Sequence, residues 1–92
     1  MPIVKMARFA VRPDARDEAE REMHAIATDV RAKLPDSAWT TYRARDHYVA
    51  ILVAKQASAS LFEERLRPFV TGPIDVEEYT LVTSSDLARR RR

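Results

Sequence analysis

Hydrophobic and polar positions along this chain follow two different periods, and each change of period marks an element. Residues 3–11 (IVKMARFAV) are apolar and β-branched at many positions with Lys5 and Arg8 interleaved, and Arg12-Pro13 stops the run because proline cannot continue a ladder. This predicts a first strand. From there Ala15, Ala19, Met23, Ile26, Ala27, Val30 and Leu34 recur at three- and four-residue spacing, with Asp14 where an N-cap belongs, Asp17 and Glu18 in the first turn, and Pro35 at the end. A long amphipathic helix follows. Residues 37–45 (SAWTTYRAR) and 47–54 (HYVAILVA) are rich in β-formers and predict a hairpin turning at Arg45, Asp46 and His47. Ser60 and Glu63 have capping-box spacing, so a second helix is expected from Ser58 or Ser60, with Phe62, Leu66, Phe69 and Val70 on one face. It ends near Pro68 or at Thr71-Gly72-Pro73, and residues 74–82 (IDVEEYTLV) supply a fourth strand.

A β-α-β-β-α-β order predicts an α+β fold of the ferredoxin-like kind: a four-stranded antiparallel sheet with both helices on one face, since right-handed crossovers place them there. The other face then needs a partner. In HYVAILVA, Val49, Ile51 and Val53 lie on one side and Tyr48, Leu52 and two alanines on the other, so both sides are water-avoiding. A second copy packed sheet to sheet is the economical cover, and a homodimer is expected.

Composition narrows the function classes. The 92 residues make one domain, expected over 1–83, with residues 84–92 as a basic, disordered tail. No cysteine is present, which removes disulfides and thiolate chemistry and fits a cytoplasmic protein, and no apolar run or N-terminal leader pattern points to a membrane. The single glycine, Gly72, excludes glycine-rich phosphate loops. The net charge of +2 comes from the tail: without Arg89, Arg90, Arg91 and Arg92, twelve basic residues face fourteen acidic ones. Such a terminus is ordinarily a solvated end, so a nucleic-acid partner is not expected.

The segments MPIVKMARFAVRPDARDEAEREMHAI, WTTYRARDHYVAILVAK and IDVEEYTLV resemble the antibiotic biosynthesis monooxygenase family over roughly residues 2–83, in element order and in the strand-Arg-Pro-helix entry. The resemblance implies a dimeric α+β barrel with a ligand cleft between sheet and helices in each subunit. It also implies a range of chemistry, from cofactor-independent oxygenation of quinol or aromatic polyketide substrates to haem degradation. The haem-degrading branch carries an Asn late in strand one, a Trp near the end of strand three and a His on or after the second helix. Here the corresponding stretches read Lys5-Met6-Ala7-Arg8 and Val53-Ala54-Lys55, and no His follows His47. The acidic-Trp pair and helical His of the oxygenase branch are matched neither by Ala54-Lys55-Gln56 nor by Leu61-Phe62-Glu63-Glu64. No haem ligand is evident, and no cofactor or metal is expected.

Individual residues carry candidate chemistry. His47 at the hairpin is read as a turn residue and also as a candidate base. Trp39 and Tyr42 are out of phase and point to opposite sheet faces; Trp39, if it faces the helices, offers a platform for a flat substrate. Arg8 within a central strand calls for a carboxylate such as Glu77 or Glu78, or for an acidic ligand, and Tyr79 offers a hydroxyl to a phenolic one. Glu20 and His24 stand one helical turn apart, but two ligands without a third make a weak metal site. The functional expectation is a cofactor-independent monooxygenase of an aromatic, phenolic or quinol-like molecule. Its alternatives are a non-catalytic small-molecule-binding barrel and an interaction module using the basic tail.

Overall fold

A computed structural model describes residues 3–55, 62–80 and 82. The elements follow in the expected order: β1 (Ile3–Val11), α1 (Arg16–Lys33), β2 (Ala38–Arg43), β3 (Tyr48–Ala54), α2 (Glu63–Leu66) and β4 (Val70–Thr80). All pairings are antiparallel, in the order β2-β3-β1-β4. Each β-α-β unit therefore has one strand inserted between its two, which is the split arrangement of the ferredoxin-like fold. The tail expected at 84–92 lies outside the described residues.

The core forms where the helical stripe meets one face of the sheet. Ala19, Met23, Ile26 and Val30 of α1 are buried against Ala7, Phe9 and Val11 of β1 and Tyr48, Ala50, Leu52 and Ala54 of β3. Burial of each large side chain contributes roughly 1.5–3 kcal/mol, so α1 is held by its packing more than by helix propensity. Arg65 ties α2 to it: its Nε donates to Glu22 at 2.5 Å and its Nη1 to Asp29 at 2.6 Å, two carboxylates two turns apart on α1.

Three expectations are corrected. Asp14 caps nothing; it lies in a 3₁₀ turn (Pro13–Ala15) with its carboxylate 3.6 Å from Arg12, and α1 begins two residues later without a side-chain cap. The second helix is much shorter than expected. Phe62 takes a left-handed φ of 62°, which no α-helix can run through, so α2 is a single turn followed by a 3₁₀ turn (Arg67–Phe69). The proposed caps Ser58 and Ser60 fall outside the described residues. Finally, β4 starts at Val70, before the glycine. Its register against β1 shifts between Arg8 and Ala10, and the extra residues are absorbed at Gly72 (φ +78°) and Pro73, tolerable because β4 is an edge strand.

Among the described residues, nothing covers the opposite sheet face. Val4, Met6, Val49 and Ile51 lie there half-buried, with Val53, Tyr42 and Tyr79 more exposed. Among the described residues no helix is long and apolar enough to cross a membrane.

Candidate functional site

The seam between α1 and the edge strand β2 leaves a groove of about 410 Å³. On the helix side it is lined by Glu20, Met23, His24 and Ala27, whose spacing places them along one flank of α1. On the sheet side Trp39, Thr41 and Arg43 alternate along β2 toward the helices, and Tyr48 reaches in from β3. The seam stays open because Ala27 and Thr41 are too short to fill it. A second hollow of about 210 Å³ continues along the same seam toward Pro35 and shares Ala27 and Trp39 as walls.

Register explains the polar cluster. Arg43 pairs directly with Tyr48, so both side chains emerge on the helix face, where Glu20 of α1 meets them. The Tyr48 hydroxyl donates to Glu20 Oε2 at 2.5 Å, and Arg43 Nη1 lies 3.4 Å from the same oxygen. The Tyr48 ring stacks on Phe9 with centroids 5.9 Å apart and planes 11° from parallel, which fixes the hydroxyl's direction. Burial, and then the Glu20 carboxylate, push the Tyr48 pKa up, so the phenol stays a neutral donor. The arrangement supplies a carboxylate able to accept a proton, with a guanidinium beside it to steady an anion.

The sequence-derived candidates do not converge on one place. Trp39 lies in the groove wall, 7% exposed, with its indole Nε1 buried and without a partner. His47 sits in the β2–β3 turn, its Nδ1 2.8 Å from Asp46 Oδ1, outside the groove lining although next to Tyr48; that hydrogen bond lowers the Asp46 pKa. Arg8 and Tyr79 are on the uncovered face, opposite to Trp39. Hydrogen bonding to Glu77 raises the Tyr79 pKa. Among the described residues no carboxylate pairs with Arg8: Asp75 is its register neighbour, Glu77 shares its face, and Glu78 points to the other. His24 is exposed, as its place off the apolar stripe implied, and no described group of three or more His, Asp or Glu side chains is placed to hold a metal ion.

Glu20, Arg43 and Tyr48 form a polar cluster in the groove that the sequence reasoning did not bring together. The only signals were the Glu20–His24 spacing and the phase that Arg43 shares with Trp39; nothing local connects Glu20 with a tyrosine 28 residues away.

No family model matches the chain, and no curated protein matches it in sequence. Solved structures do share its fold. "Structure of Rv0793 from Mycobacterium tuberculosis" superposes with a TM-score of 0.75 at 18% identity, over 94% of this chain and 100% of that one. A crystal structure named antibiotic biosynthesis monooxygenase gives 0.70 at 14% identity, over 88% and 99%. A conserved protein from Methanosarcina mazei Go1 gives 0.68 at 13%, over 86% and 91%. The ferredoxin-like fold expected from the order of the elements is thus the fold of antibiotic biosynthesis monooxygenase-like structures, matched over nearly the whole chain.

Proposed function

We propose that this chain is a homodimer that binds an aromatic, phenolic or quinol-like small molecule in the α1–β2 groove and oxidises it with dioxygen without a cofactor. The observation that carries the reading is the Glu20 carboxylate held in a groove wall by Tyr48 and Arg43 beside an indole surface. A groove of about 410 Å³ fits the size range of small-molecule sites, and a structure of the same fold is named a monooxygenase.

The chemistry asks little of the protein beyond positioning and proton removal. Glu20 takes a proton from an activated CH₂ flanked by the aromatic system, leaving a carbanion that Arg43 steadies. The carbanion adds dioxygen to give a peroxide, which takes the proton back from Glu20. Loss of the second C–H proton with the distal oxygen releases water and leaves a carbonyl, so one oxygen atom enters the product and one leaves as water. Homodimerisation is supported by the uncovered face, whose apolar side chains two copies would bury.

Oxygen uptake with dithranol as substrate tests the reading. Wild-type protein is expected to accelerate uptake over buffer, and Glu20→Gln to lower kcat at least ~100-fold with an unchanged melting temperature. Turnover that survives Glu20→Gln removes the carboxylate from the mechanism. Thermal stabilisation by dithranol without turnover would leave the groove as a binding site only, which the missing Asn, Trp and His of the family's catalytic branches favour.

A further inference from the structure

We infer that Tyr42 of each copy enters a hollow beside Arg8 of the other, with the twofold axis of the pair running along the strands; this rests on the homodimer reading. Strand register sets the uncovered face out in rows. Tyr42, Val49, Arg8 and Asp75 are register neighbours from β2 across to β4 and form the first row. Thr40, Ile51, Met6 and Glu77 form the second, and Ala38, Val53, Val4 and Tyr79 the third. The first row ends in a projection on one side and a hollow on the other. At the β2 end Tyr42 is 59% exposed, the most exposed of the large hydrophobic side chains on this face. At the β1–β4 end lies a hollow of about 360 Å³ lined by Met6, Arg8, Asp75, Val76 and Glu77, with room for a phenol ring. Within one chain β3 stands between the two, so a protomer does not fill its own hollow with its own tyrosine.

A second copy can fill it. An isologous face-to-face pair has its twofold axis in the plane between the sheets, and only the direction of that axis is open. An axis along the strands, midway between β3 and β1, lays β2 over β4 of the second copy without a change of row. Tyr42 then stands over the hollow of the second copy, its ring against the Arg8 guanidinium and its hydroxyl placed to donate to a carboxylate. The other rows agree: Ile51 meets Met6, Val53 meets Val4, and the Thr40 hydroxyl meets Glu77. An axis across the strands lays each strand over its own counterpart, so the two Glu77 carboxylates oppose each other and Arg8 faces Val4. Opposed like charges are what an interface avoids. Crossed sheets, the other common stacking, set Tyr42 against a tyrosine of the second copy, Tyr42 or Tyr79, and away from the hollow.

The second row distinguishes these directions while Tyr42 stays in place. The chain has no cysteine, so Thr40→Cys and Glu77→Cys each introduce a single thiol. A short bismaleimide spans the ~10 Å between stacked sheets. An equimolar mixture of the two variants is expected to give a covalent dimer, and either variant alone to give little, because its two thiols then lie on opposite edges of the interface. Tyr42→Ala, at an exposed position, is expected to raise the dissociation constant read by analytical ultracentrifugation about a hundredfold, roughly tenfold for each of the two tyrosines. A dimer in which Thr40→Cys cross-links to itself, in which the mixture gives no covalent dimer, or whose dissociation constant Tyr42→Ala leaves unchanged overturns this inference alone. A wild type that runs as one chain overturns the homodimer reading and this inference with it.

Discussion

Ile51 and Leu52 are neighbours in β3 that point to opposite faces, and this parity makes a sharp test of what each face does. Ile51 lies at the centre of the uncovered face, paired with Met6 of β1 and Thr40 of β2, whereas Leu52 is 1% exposed beneath the helices. In a sheet-to-sheet dimer Ile51→Glu places two carboxylates, one from each copy, into an apolar interface. Each unpaired buried ion costs several kcal/mol, so a combined penalty of at least ~4 kcal/mol is expected, or about a thousandfold in the dissociation constant. Within a protomer the side chain is only partly buried, and the cost there is about 1 kcal/mol. Leu52→Ala has the reverse profile: a loss of about 2–5 kcal/mol from the fold, or roughly 8–40 °C in melting temperature for a domain of this size. Light scattering behind a sizing column at micromolar concentration should give twice the 10.6 kDa chain mass for the wild type and one chain mass for Ile51→Glu. Melts at several concentrations should depend on concentration for the wild type and not for the variant. A wild type that elutes as one chain, or an Ile51→Glu that keeps the doubled mass, refutes the argument that the apolar β surface demands a twin.

The remaining expectations concern the clamp, the groove and the bulge. Arg65 holds the Asp29 carboxyl below its ordinary pKa chiefly through a hydrogen bond, so this stabilisation is present above about pH 4 and is lost as pH falls through the lowered value. The stability gap between wild type and Arg65→Leu, measured by urea unfolding, should therefore narrow in acid; a gap constant down to pH 2 contradicts the clamp. Tyr48, raised mainly by burial, binds its proton more tightly folded than unfolded, so the stability it lends is full below about pH 10 and lost as pH rises through the folded value. Tyr48→Phe should flatten that alkaline loss and cost about 1 kcal/mol at neutral pH, read from thermal melts against pH. Gly72 has a φ of +78° and nothing within 4 Å of where a Cβ would stand, so Gly72→Ala should cost about 1–2 kcal/mol from backbone strain alone. An unchanged urea midpoint would show that the bulge relaxes freely.

Much of the fold was legible because it is written in local periods. The three- and four-residue spacing of Ala19, Met23, Ile26 and Val30 could describe only a helix with one buried face, and the opposite phases of Val49, Ile51 and Val53 against Tyr48, Leu52 and Ala54 foretold a strand buried on one side and apolar on the other. Element ends were less legible. The Ser60–Glu63 spacing suggested a long second helix, yet the left-handed backbone at Phe62 confines α2 to one turn, and Thr71-Gly72-Pro73 reads as a break although β4 continues through it as a bulge. Those outcomes depend on what β1 and α1 offer for pairing and packing, which no local window contains.

The site divides in the same way. Sequence alone determined that Trp39 and Arg43 share one face of β2, that His24 stands off the apolar stripe of α1, and that Trp39 and Tyr42 oppose each other, because alternation and helical pitch fix direction residue by residue. Only the tertiary structure decided which face met the helices, that Glu20 would lie against Tyr48 and Arg43, and that Arg8 and Tyr79 would be separated from Trp39 by the thickness of the sheet. Period is set by the geometry of neighbouring peptide units. The meeting of residues distant in sequence is set by how α1 docks on the sheet, a balance of packing over the whole core.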